Sequence, residues 1–125
     1  MDRVRGLALD RGRLLLVELD PTLGHEHRGT RPCVVVSDPA INSDQRYPVI
    51  AVVPVTGTPG EGALYPVISP AGNGLSKTSY ALIDQLRSID KTRIRRFYGS
   101  ISKTELGQID LGLRLFLGLL EEPVS

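Results

Sequence analysis

The residues best suited to chemistry lie between Gly24 and Thr56. Arg31 precedes Pro32, whose ring restricts the backbone and helps to hold the guanidinium group in place, so Arg31 is a candidate anion-binding residue. Thr56 ends a later apolar run and is followed by a glycine, which lets a ligand approach the backbone beside the hydroxyl group. An arginine alone at a strand start more often joins a surface ion pair, and a threonine alone more often caps a turn. Only the pair indicates a phosphate site.

A second candidate group lies in the loop before Arg31, where His25 and His27 flank Glu26. Two imidazoles and a carboxylate can bind a metal ion or transfer protons. Alternate residues of an extended loop point to opposite sides, however, and the chain has no further histidine or cysteine cluster to complete a coordination shell. We therefore expect no metal and no cofactor, and the alternative for these residues is a solvated polar loop.

Basic residues are concentrated between residues 87 and 103, where only Asp90 opposes them in the sequence. The formal net charge of the chain is +1, so nucleic-acid binding has to come from such a local cluster. Tyr80, Phe97 and Tyr98 lie in or near the cluster and offer stacking faces for unpaired bases. A solvated charged turn explains the cluster equally well. Its cationic members are Arg87, Lys91, Arg93, Arg95, Arg96 and Lys103.

The elements that must position these residues are short strands. Apolar and β-branched runs predict strands at residues 13–19, 32–37 and 49–55, with shorter ones within 64–69, 79–89 and 96–101. Stretches rich in glycine and proline predict turns between them. Pro54 cannot donate to a strand ladder, so it predicts an edge strand or a bulge. Many short strands with regular turns indicate a small, mainly β core.

The C-terminal segment has the pattern of an amphipathic helix. Ser102 and Glu105 fit a capping box, and a helix is predicted from about Lys103 to Leu120. One apolar face can pack on the β core, and it consists of Leu106, Ile109, Leu113, Phe116, Leu117 and Leu120. A second apolar stripe, on nearly the opposite side, is formed by Leu111, Leu115 and Leu119. The second stripe predicts a partner surface, most simply in a homodimer, whereas burial on both sides within one monomer is the alternative.

Length and composition indicate one folded domain, because 125 residues suffice for one compact domain and are few for two. We place that domain at residues 11–121, between an N-terminal extension at 1–10 and a tail at 122–125. The lone Cys33 excludes an intrachain disulfide and fits a reducing cytoplasm. The N-terminus lacks the apolar region of a signal peptide, and no apolar run approaches the roughly 18 residues of a membrane span. We therefore expect no membrane association.

Four segments, in this order, resemble the toxins of the MazF/PemK family. They are R-G-R-L-L-L-V-E-L-D-P from Arg11, G-H-E-H-R-G-T-R-P-C-V-V-V-S from Gly24, V-V-P-V-T from Val52 and D-Q-L-R-S-I-D-K-T-R-I from Asp84. The helix from Ser102, which ends in L-G-L-L, extends the resemblance over nearly the whole chain after residue 10. The resemblance implies a mainly β fold with appended helices, namely a small SH3-like barrel with a C-terminal α-helix.

The resemblance also implies a function. Such a protein is a homodimeric toxin of a type II toxin–antitoxin system, and it cleaves single-stranded mRNA at short motifs without a metal. An antitoxin protein is its partner. The family's catalytic arginine and threonine fall on Arg31 and Thr56, and its RNA contacts fall on the loop from Gly24 to Gly29 and on the Asp84–Gln85 region. With the adjoining basic cluster, the candidate RNA-binding residues are Glu26, Arg28, Gln85 and Arg87.

Two positions depart from the family's usual pattern and bear on sequence specificity. Arg13 stands where the family has an acidic residue, and the residues beside Glu26 are histidines. Metal-free RNA cleavage uses the substrate's 2′-hydroxyl as the nucleophile and leaves a 2′,3′-cyclic phosphate and a 5′-hydroxyl. Arginine is a poor base, so His25 and His27 are the candidate proton carriers.

Two other functions compete with RNA cleavage. Related barrels include toxins that poison DNA gyrase without cutting RNA, so the fold alone does not decide the activity. The pair of Arg31 and Thr56 favours the nuclease, because a gyrase-binding protein has no need for these two residues in one cleft. A peptide-binding SH3-like module would need an aromatic-lined groove, and the chain has only 2 Phe, 4 Tyr and no Trp.

Overall fold

The computed structural model describes residues 9–19 and 29–120. Seven strands, two helices and two 3-10 turns occupy these ranges. The strands are β1 (Arg13–Glu18), β2 (Thr30–Val35), β3 (Val49–Thr56), β4 (Val67–Ile68), β5 (Ser79–Ala81), β6 (Arg87–Asp90) and β7 (Ile94–Ser100). The helices are α1 (Pro39–Asn42) and α2 (Lys103–Leu117), and the 3-10 turns are Ile83–Gln85 and Lys91–Arg93.

All strand pairs are antiparallel, in the order β4-β5-β3-β2-β1-β7, and β6 also pairs with β3. β6 and β7 follow each other along the chain through one 3-10 turn, yet they pair with β3 and β1 respectively. The sheet must therefore curl to bring its two sides together. The result is a half-barrel with a C-terminal helix, which confirms the expected mainly β fold class.

Both faces of the central strands are buried, which explains why their sequences are continuous apolar runs instead of alternating patterns. One face packs against α2, with Leu14, Val34, Val53, Ile83 and Ile109 among its buried residues. The other face carries a second buried apolar cluster. Its buried members are Leu15, Val17, Cys33, Val35, Ile50, Val52 and Ile89.

Pro54 does not mark an edge strand, and that prediction is wrong. β3 is the most extensively paired of the described strands, because it contacts β2 on one side and both β6 and β5 on the other. β3 pairs with β6 through Val49 to Val52 and with β5 through Val55 and Thr56. Pro54 falls in the interval between these two ladders, where no backbone donor is required, and its carbonyl accepts the N–H of Leu82 at 2.8 Å.

The C-terminal helix α2 begins as predicted. Ser102 Oγ accepts the Glu105 N–H at 3.0 Å, and Glu105 Oε1 accepts the Ser102 N–H at 2.9 Å, so the capping box is confirmed. Glu105 Oε2 also accepts the Ser69 N–H at 2.8 Å, which joins the helix start to the segment after β4. The helix ends at Leu117, short of the predicted Leu120, because Gly118 adopts a left-handed conformation at φ 71°.

The predicted core face of α2 is right in its first half and wrong in its second. Ile109 is buried and Leu106 and Leu113 pack against the core, as expected. The later members, Phe116, Leu117 and Leu120, are exposed. Together with the second stripe they are called here the α2 apolar surface: Leu111, Leu115, Phe116, Leu117, Leu119 and Leu120.

Arg11 fastens α2 to the sheet. Its Nη1 donates to Asp110 Oδ2 at 3.2 Å, and its Nε donates to the Val36 carbonyl at 2.8 Å. The adjacent Asp110 carboxylate raises the pKa of the Arg11 guanidinium through a side-chain hydrogen bond. Among the described residues, no helix is long and apolar enough to cross a membrane.

Candidate active site

Arg31 and Thr56 lie on neighbouring strands at matching positions. β2 and β3 are in register with Cys33 opposite Pro54, Val34 opposite Val53 and Val35 opposite Val52. Counting two residues outward along each strand from the Cys33–Pro54 pair leads to Arg31 on β2 and Thr56 on β3. Because side chains alternate along a strand, these two residues belong to the same sheet face as the Cys33–Pro54 pair. The ladder ends at the Cys33–Pro54 pair, and Arg31 and Thr56 are the residues two positions beyond that pair on the two strands.

Arg31 is half-buried at the start of β2. Its backbone is paired with Val17 of β1, and its carbonyl accepts the Cys33 thiol at 3.7 Å, so its main chain is fixed from two sides. Within residues 9–19 and 29–120, the guanidinium group makes no hydrogen bond and no ion pair. A partly buried arginine with this freedom can use its planar fork for an anion.

Arg87 approaches the same place from β6, where it lies opposite Val52. Burial raises the pKa of the Cys33 thiol to about 12, and the positive charges of Arg31 and Arg87 oppose that rise. Both guanidinium groups therefore lie within electrostatic reach of one buried thiol. The thiol itself is fully protonated at neutral pH and is not a nucleophile.

The hydroxyl group of Thr56 is oriented by the turn that follows it. Thr58 N–H donates to Thr56 Oγ1 at 3.1 Å, so one lone pair of the hydroxyl oxygen is occupied and the side chain is held in one orientation. The hydroxyl proton remains available to donate to an oxygen of a ligand. This contact between a side chain and a turn had no sign in the sequence beyond the glycine at position 57.

A cavity of about 390 Å³ opens beside Thr56. We call it the Asp84 cavity, and its lining includes Thr56, Tyr65, Asp84 and Gln85. Tyr65 Oη donates to Asp84 Oδ2 at 2.6 Å, and this hydrogen bond raises the pKa of the Tyr65 hydroxyl. Gln85, predicted to contact RNA, is thereby placed in the same cavity as Thr56. Tyr65 was not singled out from the sequence, because its neighbours along the chain are turn residues without a recognisable motif.

Four candidate residues lie outside the described ranges: His25, Glu26, His27 and Arg28. Within residues 9–19 and 29–120, no three His, Cys, Asp or Glu side chains are grouped so that they could hold a metal ion. The proton-carrier and loop-contact hypotheses for the four residues therefore stay predictions.

The basic cluster is not a single patch, and Asp90 is not its only acidic neighbour. Arg95 forms an ion pair with Glu18 at the end of β1, and Arg93 donates to the carbonyls of Glu18 and Leu19 at 3.4 Å. The sequence count missed Glu18 because it is distant along the chain and close only through the pairing of β1 with β7. Of these arginines, Arg87 is the one whose charge, like that of Arg31, acts on the Cys33 thiol.

Arg13, which departs from the family's acidic residue, is engaged with β7. Its Nε donates to the Tyr98 carbonyl at 2.7 Å, and its guanidinium lies 5.3 Å from the centroid of the Phe97 ring. The exposed Phe97 ring is therefore covered in part by a cation, an arrangement that stabilises the β1–β7 pair.

The chain is similar to known proteins along most of its length. Residues 10–117 match the family of PemK-like, MazF-like toxins of type II toxin–antitoxin systems. The chain is 38% identical to an endoribonuclease MazF9 of Mycobacterium tuberculosis over 87% of this chain and 96% of that protein. It is 37% identical to an endoribonuclease PemK of Escherichia coli over 81% of this chain and 79% of that protein.

A solved structure shares the fold. An endoribonuclease in complex with its cognate antitoxin, from a mycobacterial species, superposes with a TM-score of 0.74 at 20% identity, covering 90% of this chain and 98% of that one. At this identity the likeness concerns the fold alone. The family match over residues 10–117 and the identity to two proteins along most of their length establish the family. This chain belongs to the PemK-like, MazF-like toxin family of type II toxin–antitoxin systems.

Proposed function

We propose that this chain is the endoribonuclease toxin of a type II toxin–antitoxin pair, and that it cuts single-stranded mRNA where Arg31 meets Thr56. The observation that carries the proposal is the register of β2 and β3, in which Arg31 and Thr56 stand two residues beyond the paired Cys33 and Pro54. Arg31 makes no hydrogen bond or ion pair within residues 9–19 and 29–120, and the turn after Thr56 orients its hydroxyl group. The two relatives named endoribonucleases support the activity. No metal takes part in the proposed reaction.

In the proposed reaction, the 2′-hydroxyl oxygen of the substrate attacks the adjacent phosphorus. The bond from phosphorus to the 5′-oxygen of the next nucleotide breaks, which gives a 2′,3′-cyclic phosphate and a 5′-hydroxyl. Arg31 holds the non-bridging oxygens with its guanidinium fork, and the hydroxyl proton of Thr56 donates to the same phosphoryl group. Both contacts strengthen as negative charge develops on these oxygens.

The two proton transfers need a group other than Arg31, because a guanidinium group is a very weak acid and rarely gives up its proton. His25 and His27 are our candidates for removing the 2′-hydroxyl proton and for protonating the 5′-oxygen. Both histidines precede Arg31 by only a few residues in the sequence. Loss of the histidine that acts should displace the limb of the pH–rate profile near neutral pH.

The remaining RNA contacts are proposed on both sides of this centre. Gln85 lines the cavity beside Thr56, and Arg87 reaches the neighbourhood of Arg31 from β6. Glu26 and Arg28 are proposed contacts from the loop. The antitoxin is the proposed protein partner, and the cytoplasm the proposed site of action.

A homodimer through the α2 apolar surface is also proposed. Leu117 and Leu119 are 51% and 65% exposed, and the six residues of the surface fall between Leu111 and Leu120, in the second half of α2 and just after it. Apolar surface of this kind is costly in water and is usually covered by a partner. A second copy of the chain presents a matching apolar surface and can cover it in a symmetric contact.

The test is a cleavage assay with end-group analysis. The purified protein is incubated with RNAs of varied sequence, with and without a chelator, and the cut sites and their end groups are mapped. We expect cutting that resists the chelator and leaves cyclic phosphate ends. Cutting that requires a divalent ion would refute the metal-free mechanism. Intact RNA across all sequences would favour a growth-arresting binding protein of the gyrase-poison type.

A further inference from the structure

Lys77 lies across the backbone beside the proposed reaction centre. A Cβ atom built on Gly57 would lie 2.3 Å from Lys77 Cε and 2.9 Å from Lys77 Nζ, so the ammonium end of Lys77 rests against the residue that follows Thr56. A larger residue at position 57 would displace the end of the Lys77 side chain from this path. Within the described part of the chain, the ammonium group forms no ion pair.

The segment that carries Lys77 is firmly anchored. The Ser79 hydroxyl, 5% exposed, donates to the Lys77 carbonyl at 2.9 Å. The buried Asn73 donates from Nδ2 to the Ser69 carbonyl at 2.9 Å, and its Oδ1 accepts the Leu75 N–H at 3.1 Å. The backbone on either side of Lys77 is therefore held in place, and this limits where its side chain can reach.

A second cavity, of about 240 Å³, separates this segment from the end of β3. We call it the Lys77 cavity; Thr56, Ser76, Lys77 and Tyr98 are among its lining residues. The Tyr98 ring closes one side and packs so tightly on Gly74 that a Cβ there would lie 2.7 Å from the ring. Its volume is below the roughly 300–1,000 Å³ of pockets for drug-sized ligands, which suits a part of one nucleotide.

Thr56 therefore stands between two cavities of opposite charge. The Asp84 cavity contains a carboxylate, and the Lys77 cavity contains an ammonium group. A carboxylate repels phosphates but accepts hydrogen bonds from the N–H groups of bases, whereas an ammonium group attracts phosphates. The charges thus favour a strand whose backbone passes on the Lys77 side of Thr56.

We propose that Lys77 binds an RNA phosphate adjacent to the one that is cleaved, and that this contact sets the direction in which the strand crosses Thr56. The proposal rests on the proposed endoribonuclease function. Lys77 is a binding residue here, because the reacting phosphate is assigned to Arg31 and Thr56. Replacing Lys77 should weaken RNA binding more than it lowers the rate at which bound RNA is cleaved.

The experiment measures RNA binding as a function of salt. The probe is an RNA oligonucleotide carrying the mapped cleavage motif, with a 2′-deoxy sugar at the cut position so that it is bound but not cut. For a single strand, each phosphate contact contributes about 0.7 to the slope of log affinity against log salt. Lys77→Gln should lower the slope by ~0.7, and Lys77→Arg should retain it. Arg46→Gln is the charge-matched control, since Arg46 is exposed and paired with Asp44.

A neutral methylphosphonate, placed in turn at each phosphate beside the cut position, then locates the contact. At one of these positions the substitution should weaken binding of the wild-type protein and leave that of Lys77→Gln unchanged. The role of Lys77 would be overturned if Lys77→Gln had the wild-type salt slope, or if its slope fell only as much as that of Arg46→Gln. It would also be overturned if no methylphosphonate position showed this pattern. Absence of cleavage by the wild-type protein would instead refute the proposed function, and this proposal with it.

Discussion

Replacing Arg31 by alanine should remove most of the activity without unfolding the protein. The guanidinium fork is assigned two hydrogen bonds to a charged phosphoryl group, each worth ~1.5–3 kcal/mol. Their loss corresponds to ~3–6 kcal/mol, or ~10²–10⁴-fold in kcat/KM at about 1.4 kcal/mol per factor of ten. The Arg31 side chain is only half-buried, and its loss breaks no hydrogen bond or ion pair within the described ranges.

The assay is single-turnover cleavage of an RNA with one mapped site, in the presence of a chelator. Arg31→Lys keeps the charge but not the fork and should recover part of the rate, leaving a loss of ~10–10²-fold. Arg46→Ala serves as the control, because it removes an exposed arginine from the loop before β3. A rate of Arg31→Ala within tenfold of the wild type, with an unchanged thermal midpoint, would refute the assignment of Arg31.

Thr56→Val should lower the single-turnover cleavage rate by ~10²–10³-fold, because it removes a hydrogen-bond donor to a developing oxyanion. Thr56→Ser keeps the hydroxyl group and should stay close to the wild-type rate. Equal losses in both variants would exclude the hydroxyl as the acting group. The hydrogen bond to Asp84 is the main cause of the raised pKa of the Tyr65 hydroxyl. The protonated hydroxyl therefore stabilises the folded state at pH values below the ordinary tyrosine pKa, and this stabilisation is lost as the pH rises through the raised pKa. Asp84→Asn should therefore shift the alkaline tyrosine absorbance transition to lower pH, and an unchanged titration curve would contradict the pair. Leu115→Gln on the α2 apolar surface should weaken a homodimer by ~2 kcal/mol over two copies, or ~30-fold in the dissociation constant. Sedimentation experiments measure this constant, with Gln108→Ala as the control. A molecular mass that does not depend on the Leu115 substitution would place the interface elsewhere.

Much of the fold was predictable because its strongest signals are local. The apolar runs of β1, β2 and β3 correspond to strands, and the Ser102–Glu105 capping box correctly places the start of α2. Both depend on residues that are close in sequence. The end of α2 was placed too late, since leucines continue past Gly118 and the apolar pattern carries no information about where the sheet ends.

The parts that could not be predicted depend on contacts between distant segments. The position of Pro54 makes sense only once β3 is known to change partners from β6 to β5. The ion pair of Arg95 with Glu18 and the path of Lys77 over Gly57 likewise join residues that pairing alone brings together. Arg31 and Thr56 could be proposed as a pair from the sequence, but their matching positions follow from the register of β2 and β3.

β3 pairs first with β6 and then with β5 along its length, and this arrangement has a consequence for synthesis of the toxin on the ribosome. Arg31 and Thr56 are both synthesised in the first half of the chain, yet Thr56 pairs with Tyr80 of β5 and Val52 with Arg87 of β6. A nascent chain on the ribosome that has not reached β5 carries both proposed catalytic residues but lacks the Asp84 cavity and the Lys77 cavity. Because Tyr98 of β7 closes the Lys77 cavity, chains released before β7 lack the complete proposed site, and we expect them to be inactive.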